Sequence, residues 1–250
     1  MKGLKKLLKQ NKFGIIVEAR TGSKRFKEKV LKKVYKTTTV LEFLIKRLKK
    51  QKLIKKIIVA TTTSKDDRKI CKICRELKVN YFRGSKNNLI KRVYSAAQKF
   101  NVDHIVQVTS DNPFFDESIL DILLKKYKTS RYEFVSNSII RTFPIGLDLR
   151  IFSRKILRLT EKKVLSKHKE HTCFYFIKNL KKIKFFNLKA KKKFNRPDLR
   201  LTLDYSEDLN LFRILIKNLG VNLNTEKIIN FLDRNPEYLK INSKFPKHYE

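Results

Sequence analysis

Acidic residues are scarce in this chain. Only 23 Asp and Glu stand against 61 Lys and Arg over 250 residues, a formal net charge of +38. Cysteine is nearly absent, with three in all, and no stretch approaches the roughly 18 uninterrupted apolar residues of a membrane-spanning helix. Each shortage excludes something. Lys5, Lys6 and Lys9 interrupt the N-terminal segment MKGLKKLLKQNKFG, so it lacks the apolar core of a secretory signal, and a cytoplasmic protein without a membrane span is expected. Cys71 and Cys74 form a CxxC, but no second Cys/His pair at ligand spacing and no Gly/Pro active-site turn accompanies it. On a helix predicted over 66–77, positions 70, 73, 74 and 77 share one face, so the thiols there read as small buried hydrophobes. Cys173 stands alone, and no disulfide is expected. No RNP-type aromatic motif, zinc-finger spacing or recognition helix accompanies the positive charge. Lysine is spread along the whole chain, so the charge reads chiefly as solvated faces and nucleic acid is not the expected partner. A basic nucleic-acid-binding protein stays as the rival reading from a different class.

What is present begins at residues 15–29, IIVEARTGSKRFKEK. The apolar run Ile15, Ile16, Val17 predicts a buried strand. It breaks into a loop carrying Gly22, Ser23, Arg20, Lys24, Arg25 and Lys29. A buried strand feeding a Gly-containing basic loop is how α/β proteins present a phosphate-binding surface: backbone N–H groups point at the anion, and Arg and Lys neutralise it. An ordinary basic surface turn has the same composition, and the loop alone does not separate the two.

The first half alternates strand and helix patterns. Strands are predicted at 14–19, 56–61, 79–82, 104–109 and 132–136, with helices at 39–51, 66–77, 88–100 and 116–127. Such alternation predicts a mostly parallel sheet with helices on both faces, and ligands then bind at the carboxyl ends of the strands. The residues there are polar and mutually consistent: Ala19-Arg20-Thr21-Gly22-Ser23, Thr61-Thr62-Thr63-Ser64, Arg83-Gly84-Ser85 and Ser110-Asp111-Asn112-Pro113. Hydroxyls and backbone groups suit a base and ribose, the basic loop suits a triphosphate, and Asp111 suits a divalent cation. Asp111 before Asn-Pro also fits an ordinary turn.

The second half is less regular. A Pro-x-Gly turn in 141–151 leads into a strand, 154–164 and 168–179 read as helices, and 182–189 and 199–203 read as strands. Ser206-Glu207-Asp208 supplies a cap for a helix starting near Ser206, 224–234 is a last helix, and a loose surface tail runs to Glu250. No repeat and no long linker is visible.

Taken in order, IIVEARTGSKRFKEKVL, IIVATTTSKDD, FRGSKNNLIKRV, VQVTSDNPFFD, RTFPIGLDLRIF, KEHT and LRLTLDYSEDL resemble the sugar-acid cytidylyltransferases, the acylneuraminate and 3-deoxy-manno-octulosonate (KDO) enzymes. They are most similar to the branch of spore-coat polysaccharide biosynthesis protein F. The resemblance implies a Rossmann-like, GT-A-like three-layer α/β sandwich with a mixed, mostly parallel sheet. It implies one domain over residues 1–250, with a core at about 13–219, a dimer or substrate segment at about 141–195 and a helical extension at 220–250. It implies transfer of CMP from CTP to a sugar acid with Mg²⁺, in a homodimer, for surface polysaccharide. Ala19, Arg20, Gly22, Ser23, Arg25 and Lys29 would hold the triphosphate, with Arg20 and Lys29 as catalytic charges. Asp111, also catalytic, and Asp204 would hold the metal. Thr61, Thr62 and Arg83 would lie near the base or sugar, and Arg92, Asp148 and His171 toward the sugar. Nucleotidyl transfer mainly needs positioning and charge neutralisation, so two Asp residues and a basic loop suffice. The chain departs from the pattern at Lys27-Glu28-Lys29, where such loops often carry Pro-Gly-Lys, at Ser110, at Asn88 in place of Asp, and at Arg150 in place of an acid. Another nucleotidyltransferase on the same fold, or a homologue that binds nucleotide without turning it over, also fits these residues.

Overall fold

The structure, a computed structural model, describes residues 12–165 and 168–246, so the N-terminal residues read above as no secretory signal lie largely outside it. Nine strands and eight helices are described, in the order β1 (Phe13–Glu18), β2 (Lys33–Tyr35), β3 (Thr38–Thr39), α1 (Val40–Lys50), β4 (Ile57–Thr62), α2 (Arg68–Glu76), β5 (Asn80–Gly84), α3 (Leu89–Lys99), β6 (His104–Thr109), α4 (Glu117–Thr129), β7 (Phe134–Ser136), β8 (Arg150–Ser153), α5 (Arg154–Lys163), α6 (Phe174–Lys178), β9 (Phe185–Asn187), α7 (Ser206–Leu219) and α8 (Thr225–Arg234). Seven strands form one sheet in the order β5-β4-β1-β6-β8-β7-β9. Strands β5, β4, β1 and β6 are parallel, β8 runs antiparallel to both β6 and β7, and β7 and β9 pair in parallel. The sheet is therefore mixed and mostly parallel, as expected.

The apolar runs explain its centre. Every residue of β4 is buried, as are Phe13 to Val17 of β1, because strands covered on both faces need no polar alternation. Ile15 and Val17 face one core with Leu44, Leu120 and Phe212, while Ile16 and Ile58 face another with Val93, Phe152 and Phe176. Helices thus cover both sides, giving three layers. Cys71 and Cys74 lie buried on α2, and burial pushes the Cys74 thiol up to about 12, which keeps it protonated and inert.

Local signals set the helix starts. Thr39 and Glu42 form a capping box on α1, with Thr39 N–H donating to Glu42 Oε2 at 2.6 Å and Glu42 N–H to Thr39 Oγ1 at 3.3 Å. Asn88 caps α3 by accepting from Lys91 N–H at 2.8 Å. Asn caps a helix as well as Asp does, so this departure from the family pattern has a structural use.

Five points differ from the reading of the sequence. The hairpin β2–β3 carries no sequence signal that exposed it. The helix expected over 168–179 shrinks to α6, because Thr172 and Cys173 are drawn into side-chain bonds with Glu18 and Gln107. Residues 199–203 run extended but form only one bridge, Arg200 to Ile145, since the Arg200 carbonyl accepts from the Asn242 side chain rather than from a strand. The tail is not loose over 236–246: Pro236–Ile241 form a 3-10 turn, and Asn242 is 4% exposed. At α7, Asp208 rather than Ser206 satisfies the leading N–H groups, those of Asp204 and Tyr205.

Gly146 makes the approach of residues 199–203 feasible. Its φ is +100°, and a Cβ there would lie 2.3 Å from both the carbonyl carbon and oxygen of Leu201. Gly146→Ala combines backbone strain with a backbone clash, so it is expected to destabilise the protein by about 2–4 kcal/mol, read as a fall in thermal midpoint of roughly 5–15 °C.

Candidate active site

The loop after β1 is built by two pins. Ala19 extends the strand, donating its N–H to Ala60 O at 3.3 Å. Thr21 then turns inward, and its N–H and Oγ1 both donate to Asp67 Oδ1, at 2.8 and 2.7 Å. The second Asp67 oxygen accepts from the N–H and hydroxyl of Thr62 at the end of β4. Burial works against the charge on Asp67, but the four donors from Thr62 and Thr21 outweigh it and hold its carboxyl below the usual range. The other pin is Glu28, whose N–H donates to Thr21 O at 3.1 Å and whose φ is +52°. A left-handed residue is where glycine would be expected, and here Glu28 takes it, with Lys69 bound to its carboxylate at 2.6 Å. Gly22, by contrast, has open space around it and no positive φ. The turn at Lys29–Leu31 buries Val30 and so aims Lys29 into the cleft.

There Lys29 Nζ lies between two carboxylates, 2.7 Å from Asp111 Oδ2 and 2.8 Å from Asp204 Oδ1. Arg25 reaches the same Asp204 oxygen at 2.7 Å. Asp111 follows β6, and Asp204 is brought beside it by the bond from Leu203 N–H to Asp111 O at 2.9 Å. Burial would pull the Lys29 ammonium down, yet the facing Asp111 and Asp204 carboxylates carry it above its ordinary value. Lys29 therefore stays cationic throughout the neutral range and acts as a charge rather than as a base.

Most of the remaining residues singled out by sequence are held by partners of their own. Ser23 is half-buried and its hydroxyl accepts from Phe26 N–H within the loop. Arg20 is exposed and reaches Glu170 at 3.3 Å. Thr61 is fully buried in the sheet, and the Thr62 hydroxyl is committed to Asp67. Arg83 donates to the carbonyls of Thr62, Thr63 and Ser64, so it shapes the β4 exit loop. Arg92 is 3% exposed and donates to Ser85 O at 2.7 Å. Asp148 binds Arg141 at 2.9 and 3.0 Å and Arg150 at 3.3 Å; burial opposes its charge, but the arginines hold its carboxyl low. His171 is exposed in the turn before α6.

Several residues of the site carry no local sequence signal. Glu18, at the end of β1, accepts from Thr172 Oγ1 at 2.6 Å and Gln107 Nε2 at 2.7 Å, and burial pushes its carboxyl up despite these donors. The 170–172 turn thus touches both ends of the basic loop's root, through Glu170 on Arg20 and Thr172 on Glu18. Asp67 sits at the N-cap position of α2, which an acid there foretells, but its carboxylate serves Thr21 and Thr62 instead. Arg200 and Asp208 back Asp204 from behind. Among the described residues no group of three or more His, Cys, Asp or Glu gathers as a metal cage.

Comparison with known proteins places the chain in a family. Residues 14–228 match the family described as cytidylyltransferase. An uncharacterized protein of Methanocaldococcus jannaschii is 36% identical over 230 residues, covering 91% of this chain and 93% of its own. The spore coat polysaccharide biosynthesis protein SpsF of Bacillus subtilis is 26% identical over 235 residues, covering 89% of this chain and 94% of its own. The solved structure of a cytidylyltransferase from Leptospira borgpetersenii serovar Hardjo-bovis is 32% identical and superposes with a TM-score of 0.86, over 96% of this chain and 99% of that one.

Two stability measurements test the loop's pins. Glu28→Gly is expected to be more stable than Glu28→Ala by about 1 kcal/mol in denaturant unfolding, because only glycine enters the left-handed region freely. Asp67→Asn is expected to cost about 2 kcal/mol near neutrality. Since the native Asp67 pKa is depressed, its stabilisation is complete above the unfolded value, about 4, and fades as pH falls below it. The gap between wild type and variant is therefore expected to close in acid, and a gap independent of pH would refute the role of the charge.

Proposed function

The chain belongs to the cytidylyltransferase family, and from this premise we propose that it transfers CMP from CTP to a sugar acid, releasing pyrophosphate, for surface polysaccharide synthesis. One observation carries the reading: Arg25 and Lys29 of the basic loop converge with Asp111 and Asp204 at the carboxyl ends of the strands. The B. subtilis relative's name supports the polysaccharide setting. Homodimeric assembly, which rests on the resemblance, and residence in the cytoplasm, which rests on the lysine-interrupted N-terminal segment, belong to the same proposal. Among the described residues no helix is long and apolar enough to cross a membrane.

The carboxylate pair fits Mg²⁺. Two oxygens from different segments already surround one cationic point, the Lys29 ammonium, at 2.7 and 2.8 Å, and this ion commonly takes one or two carboxylates, the rest of its shell being phosphate and water. Asp111 and Asp204 would hold it, and when bound it supplies neutralisation of phosphate charge. Arg25 and Lys29 hold the triphosphate: their side chains lie within reach of the same point, so an arriving phosphate exchanges carboxylate partners for phosphate ones. Lys29, cationic at neutral pH, then stabilises negative charge as pyrophosphate leaves. Arg20, at the root of the loop, pairs with Glu170 of the 170–172 turn, and His171 in that turn would meet the acceptor. Glu18, Gln107, Arg92 and the Arg141–Asp148–Arg150 cluster supply a polar wall on that side of the sheet. Arg150, the departure from an acid, pairs with Asp148, so it alters the acceptor side rather than the phosphate side.

Pyrophosphate release should be measured with Mg²⁺, each of the four nucleoside triphosphates, and sugar acids of the KDO, neuraminic, legionaminic and pseudaminic types. Turnover is expected with CTP and one acid; preference for UTP or GTP would overturn the base assignment. Asp111→Asn and Asp204→Asn are each expected to lower turnover roughly a thousandfold, the scale of losing one contact to transition-state charge. Full activity in both would sink the metal assignment.

A further inference from the structure

The two oxygens of Asp204 face different settings. Oδ1 takes Lys29 and Arg25 from the cleft, whereas Oδ2 takes Arg200 from the interior at 2.8 Å. Arg200 is 5% exposed, and its guanidinium is shared. Its Nε donates to Asp208 Oδ1 at 3.0 Å, and a third N–H reaches the Pro246 carbonyl at 2.8 Å. Asp208 Oδ2 in turn accepts the backbone N–H groups of Asp204 and Tyr205, at 2.8 and 3.0 Å. The C-terminal segment closes this network. Asn242 Nδ2 donates to Asp208 Oδ1 at 2.8 Å and to the Arg200 carbonyl at 3.1 Å. Phe245 stacks on Tyr205 with centroids 3.8 Å apart, and the Arg200 guanidinium lies 5.7 Å from the centre of the same ring.

We propose that Arg200 is the positioning residue of the carboxylate Asp204, and that residues 236–246 belong to the active site as the brace holding Arg200 in place. The inference rests on the reading of Asp204 as a metal ligand given under the proposed function. Two physical arguments support it. A planar guanidinium bound to two carboxylates and a carbonyl has no freedom to rotate, so it fixes which Asp204 oxygen faces the cleft; an ammonium lacks the fork needed to span those acceptors. Arg200 alone would neutralise Asp204 and weaken its hold on a cation. Asp208 prevents this: one guanidinium between two carboxylates leaves one net negative charge, and the oxygen turned to the cleft is Asp204 Oδ1, where the cations Lys29 and Arg25 already gather. Partners behind a metal ligand commonly set metal affinity in this manner. Nothing in the local sequence marks Asn242 for the role, because it acts across 34 residues from Asp208.

The test uses the full chain and Mn²⁺ as a spectroscopic stand-in for the metal. Mn²⁺ binding is followed by electron paramagnetic resonance with CTP present, CTP binding without metal by calorimetry, and kcat and KM for CTP by pyrophosphate release. Arg200→Met is expected to weaken Mn²⁺ binding roughly 10- to 100-fold and lower kcat, with metal-free CTP affinity and KM nearly unchanged. Arg200→Lys keeps the charge without the fork and is expected to fall between Arg200→Met and wild type. Asn242→Ala removes only the brace and is expected to shift Mn²⁺ affinity in the same direction by a smaller factor; it decides the matter if Arg200→Met does not fold. Wild-type Mn²⁺ binding with unchanged affinity in the folded variants overturns this inference alone. Failure of wild type to bind Mn²⁺ in the presence of CTP overturns the metal assignment, and this inference with it.

Discussion

The site depends on one buried charge. Asp204 has no exposed surface, and a carboxylate removed from water is tolerated only when cations and donors replace its hydration. Arg25 and Lys29 come to it from the first loop, Arg200 from the extended segment before it, and Lys29 joins it to Asp111 after β6. The segments that meet there lie more than 170 residues apart at their extremes. Pairing a buried ion with partners from distant segments fixes their relative positions, because drawing the segments apart would strand a charge in low dielectric.

The scarcity of acids sharpens this. In a chain with 61 basic and 23 acidic residues, cations are available on nearly every surface, and a buried carboxylate is the rarer component. Asp67 ties the first loop to β4 through Thr21 and Thr62. Asp116 ties α4 to α8 by accepting from Ser118 and Thr225. Asp148 gathers Arg141 and Arg150, and Asp208 gathers Arg200, Asn242 and two backbone N–H groups. These few acids thus serve as internal fasteners, while most of the lysines lie on the surface. The high net charge fits a composition-wide bias borne on solvated faces better than a dedicated polyanion-binding surface.

The side of the sheet proposed to face the acceptor carries a different kind of contact. Glu18, Gln107 and Thr172 join through hydrogen bonds of 2.6 and 2.7 Å on one carboxylate oxygen, and burial raises that carboxyl rather than lowering it. The carboxylates of Asp111 and Asp204 are held by ion pairs, whereas around Glu18 neutral donors meet a single carboxylate, with the Arg141–Asp148–Arg150 ion cluster beside it. Under the proposed function a triphosphate would call for compensating charge and an acceptor for shape and directional hydrogen bonds, and the two clusters would divide accordingly.

The order of the strands' apolar runs, the helix periodicities and the polar residues at the strand ends were decided by the sequence alone, because each depends on neighbours within a few positions. Ile15 to Val17, the Thr39–Glu42 cap and the basic loop are of this kind. The placement of Asp111, a turn residue by local signs, beside Asp204 came from the β1–β6 pairing and the Leu203–Asp111 bond. The roles of Asp67, Glu18, Arg200 and Asn242, the shortening of the 168–179 helix and the failure of 199–203 to join a strand were decided only by tertiary structure. Those outcomes turn on which distant donor satisfies a buried polar group, and residue spacing along an extended or irregular chain carries no record of that choice.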